Sequence, residues 1–271
     1  MTAEPSLREM EILARQAGAI LKTLFGHRLQ VGHKSHWIDL VTEADQRAEA
    51  FLLAQLRERY PDHGIFAEES GSRPTRPDGP RWYVDPLDGT VNYAHGMPYF
   101  AVSLAYADAQ GVRLGVVYAP MQDECFCAAR GQGAWLNGRP IRVAQRTRLA
   151  DSLLITGFPY DMWTNPNNNV ANYDRFLRRT QGVLRLGAAA LDLCYVAAGR
   201  ADGFWELRLK PWDVAAGGLI VREAGGVITD LEGHPDYLAS EQPSVVAANP
   251  ILHQHMLAVL QGQEPENPRE A

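Results

Sequence analysis

The chemistry in this chain is concentrated in three separated acidic segments, the richest being Trp82-Tyr83-Val84-Asp85-Pro86-Leu87-Asp88-Gly89-Thr90. An apolar run of the kind that forms a buried strand delivers Asp85 at its end. Pro86 is expected to stop the ladder, and the turn that follows brings Asp88 back toward Asp85 while freeing the Leu87 carbonyl from regular pairing. Hard oxygen donors without His or Cys select Mg2+ or a similar ion, which keeps water and substrate phosphate in its shell. Gly89 lets a ligand approach the backbone, and a helix opening at Thr90 would offer its unpaired amides to an anion beside the metal. Alone, an Asp-x-x-Asp-Gly sequence also describes an ordinary turn.

Two further segments change that balance. Glu68-Glu69-Ser70-Gly71 places adjacent carboxylates after a short apolar run, and Trp212-Asp213-Val214-Ala215-Ala216-Gly217 places an acid where a helical pattern begins. Separately, a solvated loop and a helix cap account for them. Asp45 falls in the first turn of another expected helix, and Glu206 ends a short apolar run upstream of Asp213.

In this order, Asp45, Glu68-Glu69-Ser70, Asp85-Pro86-Leu87-Asp88-Gly89-Thr90 and Trp212-Asp213-x-Ala215-Ala216-Gly217 resemble the inositol monophosphatase family of Mg2+-dependent phosphomonoesterases, from residue 7 to about residue 260. The resemblance implies an α/β fold of the α+β kind, a layered α-β-α-β-α sandwich shared with fructose-1,6-bisphosphatases, usually found as a homodimer. It also implies two to three Mg2+ per site. Glu68, Asp85 and the Leu87 carbonyl would hold one ion, and Asp85 would bridge to a second held with Asp88 and Asp213. A third, weaker ion would involve Glu68 and mostly water, with Asp45 and Thr90 near the attacking water. Asp88, Gly89 and Thr90 would meet the phosphate, and Gly187, Ala189 and Glu206 the rest of the substrate. Ala188 stands where many members carry Thr or Ser, and Lys34 fits the position of a basic residue near the metal loop.

The expected activity is hydrolysis of a small phosphate monoester, myo-inositol 1-phosphate first, by in-line attack of a metal-activated water helped by the Thr90-Asp45 pair. The charge count agrees: Asp45, Glu68, Asp85, Asp88 and Asp213 would repel a phosphate dianion unless divalent cations intervened. Fructose-1,6-bisphosphate, NADP(H) and histidinol-phosphate phosphatases share these metal motifs and are the alternatives, as is a regulatory partner of the transcription apparatus.

The elements that must position these residues can be outlined from periodicity. Residues 7–26 and 42–61 read as amphipathic helices, the first opened by a Ser6-Glu9 capping box and the second capped by Thr42. Strand-like runs follow at 64–67 and 82–84, separated by a Gly-, Pro- and Arg-rich loop, 71–81, that could serve as a flap. Runs at 100–106, 114–118 and 125–128 and an Asn137-Gly138 turn continue a largely antiparallel sheet. From about residue 151 strands alternate with helices. Three parts are expected: an α+β half, 1–145, with the metal motifs; an α/β half, 146–262, with Asp213 and substrate contacts; and a polar tail, 263–271.

Composition excludes other classes. With 271 residues, 46% hydrophobic and 21% charged, the chain has the makeup of a folded domain with a sizeable core. A net charge of -6 argues against undirected binding to nucleic acid or anionic membrane, and Arg175, Arg178 and Arg179 read as a solvated or subunit face. Cys125, Cys127 and Cys194 form no Cys-x-x-Cys pair, and no histidine pattern suggests zinc. The first 18 residues lack the apolar core of a secretory signal and no long apolar stretch occurs, so the expected address is the cytoplasm.

Overall fold

In the computed structural model, residues 4–27, 31–33, 40–73 and 79–263 are described. The chain runs α1 (Leu7–Leu24), β1 (Val31–His33), β2 (Leu40–Thr42), α2 (Glu43–Arg59), β3 (Gly64–Ala67), β4 (Gly71–Arg73), β5 (Arg81–Asp88) and α3 (Thr90–Ala94). A meander follows: β6 (Ala101–Asp108), β7 (Gly111–Ala119), β8 (Glu124–Ala129), β9 (Gly133–Leu136) and β10 (Arg139–Pro140). The remainder is β11 (Leu153–Thr156), α4 (Val170–Leu177), β12 (Gly182–Leu184), α5 (Ala189–Ala197), β13 (Gly203–Glu206), α6 (Pro211–Glu223), β14 (Val227–Thr229), β15 (Val245–Ala248) and α7 (Pro250–Leu260).

Two large sheets alternate with three helical layers, and β1 and β2 pair as a separate two-stranded sheet. Among the described residues the larger sheet has the order β10-β9-β8-β7-β6-β5-β3-β4, and the smaller one β12-β11-β13-β15-β14. Helices α1 and α2 cover the outer face of the large sheet, α5 and α6 fill the space between the sheets, and α4 and α7 cover the far face of the small one. The side-chain period of a strand explains the two-sided burial. Val117, Phe126 and Ala128 face the α5–α6 layer, while their neighbours Val116, Cys125 and Cys127 pack under α1 and α2. In the small sheet Ile155, Phe204 and Ala247 point inward and Leu154, Trp205 and Val246 point toward α7. Because both faces of β6 are covered, Ala101–Asp108 reads as an almost continuous apolar run although its pairing is antiparallel.

Two local expectations are corrected. The ladder does not stop at Pro86: β5 continues to Asp88, with Asp85 opposite Ser103 and Asp88 opposite Ala101, so a register shift takes up the residue that cannot donate. The segment expected to be a loop from Gly71 begins as strand β4, whose Gly71, Ser72 and Arg73 pair antiparallel with Ala67, Phe66 and Ile65. The rest of the expected flap, residues 74–78, lies outside the described residues, as do Lys34 and residues 264–271 of the polar tail. The three cysteines are free and buried. Among the described residues no helix is long and apolar enough to cross a membrane.

Candidate active site

The bulge in β5 is what turns a strand into a site. Asp85 Oδ1 accepts the Leu87 amide at 2.9 Å, folding the chain around Pro86. Asp85, Leu87 and Asp88 are all buried at the end of the strand. Gly89 follows with φ +95°, and a Cβ there would stand 3.0 Å from the Tyr99 carbonyl oxygen, so both backbone angle and space call for glycine. The chain then enters α3 at Thr90, where the leading amides have no intrahelical partner.

Helix α2 ties this turn to the rest of the site. Asp45 Oδ2 accepts the Thr42 amide at 2.8 Å and the Thr42 hydroxyl at 2.5 Å, closing a capping box. Its Oδ1 accepts from Thr90 Oγ1 at 3.0 Å, while the Leu87 carbonyl lies 3.1 Å from the same hydroxyl. One turn further along α2, buried Glu49 accepts the amides of Glu69 and Ser70, each at 2.8 Å. One helix therefore fixes both the Asp45–Thr90 pair and the strand-to-strand turn that carries Glu68.

The second half of the chain completes a cleft of about 120 Å3. Glu68, Asp85, Leu87, Asp88, Gly89 and Thr90 line one side. Gly187, Ala189, Glu206 and Asp213 face them. Asp88 Oδ2 accepts the amides of Ala190 and Leu191 at 2.8 and 3.3 Å, so the first turn of α5 docks on the β5 carboxylate. Asp213 sits in the first turn of α6, behind Pro211, and accepts the Lys210 amide at 2.7 Å. Asn92 of α3 holds the segment before α5 by donating to the Leu186 carbonyl at 2.8 Å.

Burial and mutual repulsion dominate the electrostatics. Burial, then the charges of Glu68, Asp88 and Asp213 and a hydrogen bond with Glu68, push Asp85 well above the usual carboxylate range. Burial and then Asp192 push Asp88 up to about 8, against the pull of the Leu191 and Ala190 amides. Glu206 is raised well above its ordinary value by burial and Asp192, with Arg185 opposing. These acids resist sharing one cavity as anions, which is the state a multivalent cation would relieve.

The structure brings the sequence-predicted site residues to this cleft except Asp45, which stands behind Thr90 as its acceptor, and Lys34, which lies outside the described residues. Glu49 and Asp192 escaped the sequence reading. Glu49 looks like a routine helix acid four residues after Asp45, and that i, i+4 spacing is the signal that could have found it. Asp192 is buried on α5 with Oδ1 accepting the Tyr99 hydroxyl at 2.7 Å, and a carboxylate inside the apolar run Ala190-Leu191-Asp192-Leu193-Cys194 was its only sequence mark. His234, which showed no metal pattern in sequence, does approach Asp230 and Glu232, but on the surface and outside the cleft. There Asp230 accepts the amides of Glu232 and His234, as a turn requires.

Known proteins resemble this chain over nearly its whole length. The model of the inositol monophosphatase family matches residues 4–264. The inositol-1-monophosphatase of Mesorhizobium japonicum is 42% identical over 259 residues, 95% of this chain and 96% of that protein. Nus factor SuhB of Pseudomonas aeruginosa is 45% identical over 233 residues, 84% of each chain. A solved inositol monophosphatase from Anabaena (Nostoc) superposes with a TM-score of 0.83 at 39% identity, covering 96% of this chain and 98% of that one. This chain belongs to the inositol monophosphatase family.

Proposed function

We propose that the protein hydrolyses small phosphate monoesters with Mg2+, and that myo-inositol 1-phosphate is its substrate. The observation that carries this reading is the meeting of Glu68, Asp85, Asp88 and Asp213 in one cleft beside the Thr90–Asp45 pair. Carboxylates and a backbone carbonyl, without His or Cys, form a donor set suited to a hard cation, which would relieve the repulsion from neighbouring carboxylates that helps raise Asp85 and Asp88. Glu68, Asp85 and the Leu87 carbonyl would hold one ion, Asp85, Asp88 and Asp213 a second, and Glu68 with water a weaker third. Bound there, the cations would neutralise the carboxylates and supply Lewis-acid stabilisation to phosphate and leaving group.

The chain's own groups do the rest. Thr90 Oγ1 points its one proton at Asp45 Oδ1, so as the oxygen accepts a proton from an attacking water it passes its own proton on to Asp45. Thr42 fixes Asp45 in the orientation that receives this proton. The leading amides of α3, at Gly89 and Thr90, bind the phosphate. Glu206 accepts hydroxyls of the polyol, with Gly187 and Ala189 shaping the space around the ring. We also infer a homodimer, and a cytoplasmic address suits three cysteines that are buried and not disulfide-bonded.

Phosphate release from myo-inositol 1-phosphate, fructose 1,6-bisphosphate, NADP+ and histidinol phosphate, each with Mg2+ and with EDTA, tests this. Preference for the first, abolished by EDTA, is the expected result; no release from any of them contradicts it. The relatives named Nus factor SuhB favour a second reading, a regulatory role with the transcription apparatus. Co-purification of RNA polymerase components that survives Asp88→Asn would support that role, and its absence would remove it.

A further inference from the structure

The segment between β11 and α4 contains no helix or strand, yet its Gly157, Phe158, Pro159 and Tyr160 line the cleft. Its ends are pinned by one buried side chain. Asn169 Nδ2 donates to the Gly157 carbonyl at 2.7 Å and to Thr156 Oγ1 at 2.9 Å, and Asn169 Oδ1 accepts from Trp205 Nε1 at 2.8 Å. The middle of the segment is held differently. Asp161 Oδ2 accepts from Arg208 Nη1 at 2.9 Å and Oδ1 from Arg208 Nη2, a bidentate pair whose side chains are 26% and 21% exposed. The Asp161 carbonyl accepts the amides of Thr164 and Asn165, and its carboxylate the Asn165 side chain at 3.1 Å, so a pull on Asp161 moves the whole turn.

Arg208 belongs to the opposite wall, between Glu206 and Asp213. Its amide donates to Ser244 Oγ at 3.0 Å and that of Leu209 to the Pro243 carbonyl at 2.8 Å, which anchors the strip independently of the loop. Arg208 has φ +56°, a left-handed conformation that glycine adopts freely and a long side chain rarely holds. A strained backbone of this kind at a cleft wall points to a role for the side chain it carries. The loop also touches the site directly: a Cβ on Gly157 would collide with the Glu206 carboxylate, so the loop's first residue rests on that group. The groups at the other end of the cleft, Asp85, Asp88 and Thr90, are held by β5, α2 and α5.

We propose that the Asp161–Arg208 pair is a specificity latch, two positioning residues that hold the 158–160 wall against the Glu206 end of the cleft and so select polyol phosphates over esters without hydroxyls. The proposal rests on the phosphatase reading above. In Asp161→Asn the guanidinium loses its charged partner without any change to the Arg208 backbone. The expected result is a fall of about tenfold in the ratio of kcat/KM for myo-inositol 1-phosphate to that for p-nitrophenyl phosphate, carried by KM. The inhibition constant of inorganic phosphate, which reads the metal end, should stay within about twofold, and Asp161→Glu should recover most of the ratio. Equal losses on both substrates, or a phosphate inhibition constant that rises with KM, overturn the latch in favour of a general structural brace. If the wild-type protein hydrolyses neither ester, the phosphatase reading fails and the selection of polyol phosphates fails with it, while hydrogen exchange still decides whether the pair holds the wall. Faster amide exchange over residues 158–164 in Asp161→Asn, with residues 81–90 unchanged, supports it; unchanged exchange over 158–164 overturns it.

Discussion

At one end of the cleft, Asp45, Asp85, Asp88 and Thr90 are buried and held by short hydrogen bonds from strands and helix ends, to Thr42, Leu87 and Ala190. At the other, Glu206 is bordered by an irregular loop that is fixed by Asn169 and by the Asp161–Arg208 ion pair. The first end is part of the core and cannot shift without unpacking β5 and α5. The second joins buried Asn169 and half-buried Glu206 to a partly exposed ion pair, Asp161 and Arg208, that lies outside the core. Such a division keeps the proposed phosphate chemistry constant while leaving substrate choice to side chains that the fold does not need.

The contrast breaks most sharply at Asp85. Asp85→Asn should lower kcat/KM by at least about a thousandfold, because the proposed bridge between two cations is lost. Calorimetry on EDTA-stripped samples should show the same variant to be more stable than the wild type, by on the order of 1–2 kcal/mol, since a repelled buried carboxylate has been replaced by an amide. A variant with wild-type turnover would place the chemistry elsewhere.

Thr90→Ala comes next. It removes the hydroxyl between water and Asp45, and kcat should drop roughly a hundredfold while the Mg2+-induced rise in Tm persists. Loss of that rise would make Thr90 a structural part of the cation site. Steady-state kinetics of Glu206→Ala should show a smaller effect confined to the other end: KM for myo-inositol 1-phosphate up about tenfold with kcat little changed. A parallel collapse of kcat would merge the two ends into one unit.

The last expected effect is on stability as a function of pH and leaves turnover aside. Burial pushes Asp192 from the ordinary 3.8 up to about 7. Because the folded chain keeps a proton that the unfolded chain has released, this group's stabilising contribution is full below the unfolded pKa and is lost as pH rises through the folded one. In EDTA, urea unfolding should therefore lose up to about 1.4 kcal/mol per pH unit from this group between about pH 4 and 7, and Asp192→Asn should flatten that slope. Equal slopes would contradict the assignment.

Much of the first end was legible in sequence because its determinants are local: Asp85 to Thr90 form one uninterrupted segment, and Thr42 with Asp45 makes a readable cap. The order of the acidic segments supplied the resemblance, and with it the layered fold that the family shares. What stayed hidden depends on contacts that periodicity does not encode. Glu49 reaches the amides of Glu69 and Ser70 across a helix-to-strand connection, and Arg208 meets Asp161 from another strand end. Both look like solvated charges until the chain is folded. Pro86 misled in a different way, since a missing amide ends a ladder only if no register shift can absorb it, and the shift comes from pairing with β6.

The central claim is that Asp85 and its neighbours form a divalent-cation site. Isothermal titration of Mg2+ into EDTA-stripped, dialysed protein tests it most directly, with wild type and Asp85→Asn side by side. The account predicts at least two ions per wild-type chain and loss of the tighter binding in the variant. Absence of Mg2+ binding to the wild type, or binding that Asp85→Asn leaves unchanged, would contradict it.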